Sequence, residues 1–354
     1  MSPWHQRLWR VLRVGLGWLA AFALLRPGRK ARAERLLRSA ERLVLLRIDD
    51  RVGEALLMTP LLEALAPRAP DVVVHQRCVR VLEGHPRAAS VVGFDRRLWW
   101  LGPLAPGIRA LRRLTDGAVV VNCAAWSEYS GTAALVARLG APRACVIGPA
   151  QGPGTLLADV PVSARRDTDS EVQQRLHLLS PLLVSGPGTL SFRAPRASEA
   201  IAAFRAGLGP RYAVVNPGGR LDWRRVPEQV FASGAKALRA AGLQVAITWG
   251  PGEEPLARRV AEASGATLAP PTTLDELAAL FQGAAVVLCN NTGPMHLSVA
   301  VGAPTVGLFI HMPVSRWGHS GAAHLMLDLT ADAASPAAMS ARVDEALRTF
   351  AARR

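Results

Sequence analysis

The stretch "LCNNTGPMHLSVAVGAPTVGLF", residues 288–309, decides the fold. Its apolar ends predict two strands, separated by a tight turn, a short helix of small and apolar residues, and a Gly-Ala-Pro break. Polar or backbone-exposing residues collect where the helix begins, at Asn291, Thr292, Gly293, Pro294 and His296. A helix start presents unpaired N–H groups and a partial positive charge, so the segment predicts an anion site, for example for a diphosphate. An ordinary helix cap at Asn291-Thr292 and a core histidine at position 296 are the alternatives.

Short apolar strands alternate with helices on both sides of this segment. The first half of the chain offers the strands "LVLLRI", "DVVVHQ", "ASVVGF", "AVVVNC" and "ACVIG", with helices at 55–66, 103–115 and 131–140. Pro60 is expected to kink the first helix. The second half offers "YAVVNP", "QVAITWG", "ATLAP", "AAVVLCN", "TVGLF" and "LMLDL", with helices at 227–241, 253–264, 274–282 and 344–354. Near-continuous apolar strands between helices predict parallel sheets that are covered on both faces.

The segment between the two halves is less regular. "QGPGTLLADVPVSARRDTD" has the composition of a loop, "SEVQQRLHLLSPLLVSG" that of a helix, and "GPGTLSFRAPRASEA" that of a linker. We therefore expect an α/β chain with two doubly wound, Rossmann-like domains facing across a cleft, preceded by an amphipathic helical segment. The predicted boundaries are 1–40 for that segment, 41–190 for the first domain, 191–210 for the linker and 211–354 for the second domain. Ligands of such sheets bind beyond the carboxyl ends of the strands, which makes the cleft the natural site.

The charge of the chain is strongly uneven. The formal net charge is +15, and the only lysines are Lys30 and Lys236. Residues 1–42 carry ten Arg and Lys against Glu34 and Glu41, a net of +8. This asymmetry indicates a basic N-terminal arm rather than a basic groove, so no nucleic-acid partner is expected.

The first forty residues predict a helix at a membrane surface. Their longest uncharged apolar run, residues 14–25, is 12 residues long, whereas a membrane span needs about 20. Arg26-Pro27-Gly28 follows this run in place of a signal-peptide cleavage site. Tryptophans and a phenylalanine would lie at headgroup depth, and arginines would contact anionic lipid. We therefore expect a cytoplasmic protein that makes peripheral contact, through residues 4–38, with the inner face of the inner membrane. A helix packed on the body of the protein is the alternative.

Three strand-end loops of the second half can converge on one ligand. No dinucleotide fingerprint or P-loop motif is present, so no cofactor is expected. Instead, the loops carry Gly218-Gly219 with Arg224-Arg225, then Glu253-Glu254, and finally the residues from Asn291 to Gly293. Amides and an arginine suit phosphate oxygens, and a carboxylate suits ribose hydroxyls. Together the loops predict a site for a nucleoside diphosphate.

Two segments are similar to motifs of a known family. "NNTGPMHLSVAVGAPTVGLF" is similar to D-T-G-x-x-H-L-x-A-A-x-G-x-P-T-x-x-L-F, and "RIDDRVGEALLMTPLLEAL" is similar to R-x-x-x-x-G-D-x-x-x-x-x-P-x-x-x-x-L. "NPGG", "WRRVPEQVF" and "WGPGEE" look like further family segments. Over roughly residues 43–345 the chain resembles the ADP-heptose:lipopolysaccharide heptosyltransferases, glycosyltransferases of family 9 with the GT-B fold. The resemblance implies an inverting, metal-independent sugar transfer. The donor, ADP-heptose, would lie on the C-terminal domain, and a lipid-linked anionic glycan such as a lipopolysaccharide core would lie against the N-terminal domain.

The resemblance also implies roles for individual residues. Glu54 falls on the catalytic aspartate of the family, with Asp50 and Asp49 as competitors because the first loop is one residue longer than the common pattern. The acceptor would contact Arg47 and Arg51, and no residue is assigned to a metal. The donor-binding positions are Asn216, Gly218, Arg224, Glu253, Glu254, Asn291, Thr292, Gly293 and His296.

Some family positions are changed in this chain, and they leave other functions open. Glu54 and Asn291 both replace aspartates, which is compatible with a nucleotide-sugar-binding scaffold of envelope assembly that has lost turnover. From sequence alone, Glu54 is better explained as an acid favoured by a helix dipole, and it is the family position that favours catalysis. A GT-B nucleotide-sugar epimerase is a third hypothesis, but such an enzyme has no need of a basic amphipathic arm.

Overall fold

Twelve parallel strands in two sheets form the framework of the part of the chain that the structure describes. This computed structural model describes residues 27–66, 68–97, 99–124, 130–165 and 169–352, and residues 15, 18, 19, 22, 23, 25 and 126. The chain divides into two units, Met1–Thr189 and Leu190–Arg354. Two doubly wound α/β units are the predicted fold class, and the prediction is confirmed.

The first unit has a six-stranded parallel sheet with the order β3-β2-β1-β4-β5-β6. Its strands are β1 Leu43–Arg47, β2 Asp71–His75, β3 Ser90–Phe94, β4 Val119–Asn122, β5 Cys145–Pro149 and β6 Val160–Val162. Its helices are α1 Arg29–Ser39, α2 Val52–Leu56, α3 Thr59–Ala64, α4 Val79–Leu82, α5 Pro106–Thr115, α6 Gly131–Gly140 and α7 Glu171–His177. Every residue of β1 and β4 is buried, as expected of a parallel sheet that helices cover on both faces.

The second unit repeats this plan with the strand order β12-β11-β10-β7-β8-β9. Its strands are β7 Tyr212–Asn216, β8 Gln244–Ile247, β9 Thr267–Leu268, β10 Val286–Asn290, β11 Thr305–Phe309 and β12 His324–Asp328. Its helices are α8 Glu199–Gly207, α9 Glu228–Ala240, α10 Glu254–Ser264, α11 Leu274–Gln282, α12 Gly293–Ala300, α13 Val314–Trp317 and α14 Pro336–Ala352. The strand order reverses between β7 and β10, and at such a switch point doubly wound sheets bind their ligands.

Several expected element boundaries were wrong. The helix expected at 55–66 is two helices, α2 and α3, and Pro60 lies in the first turn of α3, where a missing N–H costs nothing. The segment expected to be a loop contains β6, and α8 lies inside the expected linker, with the Ser198 hydroxyl accepting a bond from the Ile201 N–H at 3.4 Å. The last helix begins at Pro336, eight residues before the predicted start.

The N-terminal segment is only partly described, because residues 1–14 and several later positions lie outside the described residues. Within the described part, α1 packs on the first unit through Ala33, which is buried. For α1, therefore, the alternative of a helix packed on the body holds. Among the described residues, no helix combines the length and the apolar character needed to span a bilayer.

Candidate active site

The strongest candidate site lies at the switch point of the second unit, where β7 and β10 end side by side. Cys289 of β10 is in register with Asn216 of β7, so the loops after the two strands leave the sheet as neighbours. The fully buried Asn290 side chain joins these loops. Its Nδ2 donates to the carbonyl oxygens of Pro217 at 2.8 Å and Gly218 at 3.2 Å, and its Oδ1 accepts from the Val226 N–H at 3.0 Å. The sequence analysis assigned the neighbouring Asn291 and missed this residue.

Glu253 joins the loop after β7 to the loop after β8. Its carboxylate accepts from the N–H groups of Gly219 at 2.7 Å and Gly250 at 2.9 Å. A Cβ at Gly218 would lie 2.0 Å from Glu253 Oε2, so a larger residue at that position would displace the carboxylate from these contacts. Glu253 therefore shapes the site through backbone contacts. Glu254 instead points to solvent and pairs with Arg258 at 2.6 Å.

The start of α12 is arranged differently from an ordinary cap. Thr292 is the N-cap residue, but its hydroxyl makes no capping bond and donates instead to the Asn290 carbonyl oxygen at 3.3 Å. The alternative interpretation of an ordinary cap therefore does not hold for the Thr292 hydroxyl. As the first helical residue, Gly293 has no carbonyl one turn earlier to which its N–H can bond. The Gly293 N–H at the helix start is therefore available to a ligand acceptor.

Two arginines follow the loop after β7. Arg224 stacks its guanidinium over the Trp223 ring, 4.6 Å from the centroid, and its Nε is buried without a hydrogen-bond partner among the described residues. Arg225 pairs with Asp222. A Cβ at Gly219 would lie 3.1 Å from both Arg225 Cγ and Thr292 Cγ2, which places Arg225 beside the helix start. Arg225 was noticed in the sequence as part of a basic pair but was not assigned to the site.

Asn216 brings a second unsatisfied polar group to the same strand ends. Its Nδ2 donates to Thr248 Oγ1 at 3.1 Å, while its Oδ1 is buried and has no partner in the described part of the chain. Buried acceptors are rarely left unpaired, because losing water without gaining a partner costs about 1–3 kcal/mol. The unpaired Oδ1 is therefore a candidate acceptor for a ligand donor.

His296 is buried on α12 and bonds to a second histidine. Its Nδ1 lies 2.8 Å from His319 Nε2, and the two rings meet edge to face with centroids 5.0 Å apart. Burial, together with the neighbouring His296 and His324, holds the pKa of His319 well below its usual value. His319 is therefore neutral at pH 7. The burial of His296 and its bond to His319 agree with the alternative interpretation of a core histidine.

In the first unit, Glu54 lies at the start of α2 and is buried among arginines. Its Oε2 accepts from Arg47 Nη2 at 2.5 Å and from Arg175 Nη2, while Arg51 Nη1 lies 3.7 Å from Oε1. Burial by itself raises the pKa of Glu54, but Arg175, Arg47 and Arg51 together lower it well below its usual range. Glu54 is therefore ionised, which is the protonation state of a base. Arg175, which also pairs with Glu171 at 3.2 Å, was missed because it lies 121 residues away in the sequence.

The remaining candidates of the first unit differ in accessibility. Arg47 is buried, donates hydrogen bonds to the Cys123 carbonyl oxygen and to Glu54, and forms an ion pair with Asp49, which favours a supporting role over contact with an acceptor. Asp49 pairs with Arg47 at 2.6 Å, whereas Asp50 is more exposed and lies 3.6 Å from Arg77. Arg51 is partly exposed beside Asp49 and Glu54.

Two doubly wound units, each built on a six-stranded parallel sheet, are the architecture of the GT-B glycosyltransferases. The family model described as glycosyltransferase family 9 (heptosyltransferase) matches residues 133–337. The chain belongs to glycosyltransferase family 9.

Individual relatives agree with this membership. Lipopolysaccharide heptosyltransferase 3 of Escherichia coli is 32% identical over 110 residues, which are 29% of this chain, and the match spans about a third (32%) of that relative. A glycosyl transferase family 9 structure from Veillonella parvula superimposes with a TM-score of 0.68 at 18% identity, covering 89% of this chain and 98% of the other. E. coli heptosyltransferase WaaC, solved with ADP, has a TM-score of 0.66 at 21% identity, covering 87% and 99%. At these identities the structural matches establish the fold alone.

Proposed function

We propose that this protein is an inverting, metal-independent glycosyltransferase that transfers a heptose from ADP-heptose to a lipopolysaccharide core or another cell-envelope glycan. One observation carries the proposal. At the switch point of the second unit, Asn216 Oδ1 and Arg224 Nε are buried without partners among the described residues, close in sequence to loops that Asn290 and Glu253 hold in place. Family membership supports the reaction class, and one relative, heptosyltransferase WaaC, which was solved both with ADP and with an ADP-heptose analogue, supports the donor.

The donor diphosphate is proposed to bind at the start of α12. The amide of Gly293 and the guanidinium of Arg224 would take the phosphate oxygens, with Thr292 and Asn291 alongside. As the sugar leaves, charge builds on the diphosphate, and fixed N–H dipoles and an arginine stabilise it without a metal ion. Asn216 Oδ1 would accept a hydrogen bond from the nucleoside.

Glu54 is proposed as the general base that takes the proton of the acceptor hydroxyl. Arg47 and Arg175 hold Oε2, which leaves Oε1 as the oxygen that can receive a proton. Because the pKa of Glu54 is so low, its carboxylate binds a proton weakly. Glu54 is therefore proposed to take the proton of the acceptor hydroxyl in the same step that forms the new glycosidic bond. Asp50, the most exposed of the three candidate carboxylates, is the competing assignment.

The acceptor is proposed to be lipid-linked and anionic, in contact with the partly exposed Arg51. Residues 4–38 would bring the protein to the inner face of the inner membrane, which supplies such an acceptor. These proposals follow from the basic N-terminus and from the family, and the structure describes 18 of the 35 residues of the segment.

A transfer assay tests the proposed function. The full chain is incubated with ADP-heptose and heptose-free lipopolysaccharide in EDTA, with UDP- and GDP-sugars as comparison donors. We expect addition of one heptose with inverted anomeric configuration, seen by mass spectrometry and NMR. Donor binding without transfer to any acceptor would favour the second candidate function, a nucleotide-sugar-binding scaffold without turnover. The observation behind this candidate is that Glu54 Oε2 is fully occupied by ion pairs with Arg47 and Arg175.

A further inference from the structure

An arginine-rich groove lies in the first unit at the amino ends of the strands, whereas Glu54 lies at their carboxyl ends. We call it the arginine groove, and its arginines are Arg29, Arg32, Arg112, Arg113 and Arg143. Its volume is about 590 Å³. Residues 112–116 directly precede β4 and residues 142–143 directly precede β5, so the groove is at the amino ends of the strands. Glu54 follows β1 at the carboxyl ends, so the groove is separate from the proposed base.

Helix α1 forms one wall of the groove and is firmly attached. Arg29 Nε lies 2.9 Å from Asp159 Oδ1, and the same carboxylate accepts from the buried Arg138 at 3.0 Å. Ala33, one turn later, is buried. This attachment leaves Arg32 and Arg35 to line the groove and its shallower extension.

Most of the positive charge in the groove is uncompensated. Arg32, Arg35 and Arg113 make no ion pair with any residue that the structure describes. Among the residues that the structure describes, Asp116 is the only acidic one that lines the groove, and its Oδ2 lies 3.9 Å from Arg143 Nη1. Arg112 Nε donates to the Leu139 carbonyl oxygen at 2.7 Å, but its Nη2 is buried without a partner among the described residues. Like charges that the fold holds together repel one another, and a bound anion relieves that repulsion.

The chemistry of the groove fits phosphate groups at a membrane surface. Guanidinium groups bind phosphate oxygens through paired N–H donors. Leu19 and Phe22, which precede α1 in the chain, are 69% and 43% exposed, and exposed apolar side chains in a sequence segment rich in arginine are typical of membrane-surface segments. No aromatic side chain lines the groove in the described part of the chain, which argues against stacked nucleobases. We propose that the arginine groove binds the phosphates of anionic lipid headgroups and so anchors the first unit to the membrane.

Vesicle binding tests this anchor independently of transferase activity. The full chain is sedimented with vesicles of phosphatidylcholine alone or of phosphatidylcholine and phosphatidylglycerol at 3:1. The test variant is Arg32→Gln/Arg113→Gln/Arg143→Gln, and the matched control is Arg205→Gln/Arg211→Gln/Arg348→Gln, which removes the same charge from exposed sites of the second unit. Since each arginine at an anionic surface contributes roughly a fivefold effect, we expect the test variant to bind the anionic vesicles about 100-fold more weakly. The control should bind like the wild type, and no protein should bind phosphatidylcholine alone.

Equal binding by the test and control variants would overturn the proposal. If inorganic phosphate raises the melting temperature of the wild type but not of the test variant, while vesicle binding is unchanged, the groove is a site for a free anion and the membrane anchor is wrong. Circular dichroism checks folding. Should the triple variant unfold, Arg113→Gln/Arg143→Gln, which changes two exposed side chains, must show a loss of roughly 25-fold for the proposal to stand.

Discussion

At the scale of single residues, the ion-pair cluster around Glu54 decides what this carboxylate can do. A carboxylate and guanidinium groups taken out of water are stable only when each is paired. Arg47 and Arg175 pair with one oxygen of Glu54, and Glu171 provides Arg175 with a second carboxylate. The cluster therefore combines a structural role with the proposed role of base, and experiments must separate the two.

Glu54→Gln is expected to reduce transfer by about 100- to 10,000-fold, because the general base is lost. It should also destabilise the fold by about 3–5 kcal/mol, because two buried arginines lose a carboxylate. Glu171→Gln is the matched control, since it removes a carboxylate from Arg175 and leaves Glu54 in place. That control should lose stability while keeping transfer within a few fold of wild type. Turnover numbers and urea denaturation of both variants check this, and full activity of Glu54→Gln would exclude the assignment.

The same cluster predicts how stability depends on pH. The folded-state pKa of Glu54 lies below its unfolded-state value of about 4.5. Glu54 therefore contributes stability that is present above pH 4.5 and is lost as the pH falls toward the folded-state pKa. The difference in urea midpoint between wild type and Glu54→Gln should thus shrink between pH 5 and pH 3. A difference that is constant over this range would contradict the ion-pair cluster.

At the scale of elements, Asn290 and Asn291 separate support of the site from contact with the ligand. Asn290 is fully buried and ties the end of β10 to the loop after β7 through three hydrogen bonds. Asn291 is half-buried, and no hydrogen bond of its side chain to another described residue is observed. Adjacent, chemically identical side chains thus have different expected roles.

Asn290→Ala is expected to cost about 1–3 kcal/mol for each backbone group left without a partner, and to weaken donor binding because the loops separate. Asn291→Ala should leave the urea midpoint nearly unchanged and weaken donor binding only. Denaturation curves and calorimetric titration with ADP-heptose distinguish the two variants. A stability loss at Asn291 equal to that at Asn290 would show that this division of roles is wrong.

At the scale of the whole molecule, the sequence predicted the two units well and their irregular parts poorly. Eleven of the twelve strands were predicted because continuous apolar runs between helices identify buried parallel strands. The exception is β6, a three-residue edge strand with Pro161 in its centre, which carries almost no such signal. Helix α8 was read as linker because the stretch before it is rich in proline and glycine.

Only those parts of the candidate site that depend on neighbouring residues in the sequence were predicted. Glycines, polar helix starts and basic pairs after strands identified the three loops of the second unit. The contacts of Glu54 with Arg175 and of His296 with His319 depend on packing between distant segments, so no local pattern predicts them. Asn290 was missed because its role depends on the neighbouring strand β7, which lies more than seventy residues earlier.

The measurement that tests the central claim most directly is calorimetric titration of the full chain with ADP-heptose in EDTA. Arg224→Gln is compared with Arg211→Gln, which removes an exposed arginine away from the proposed site. The wild type and Arg211→Gln should bind without added metal, and Arg224→Gln should bind about 10- to 100-fold more weakly, since a hydrogen bond to a charged group is lost. Binding that appears only with a divalent metal, or that is unchanged in Arg224→Gln, would contradict diphosphate recognition by the second unit.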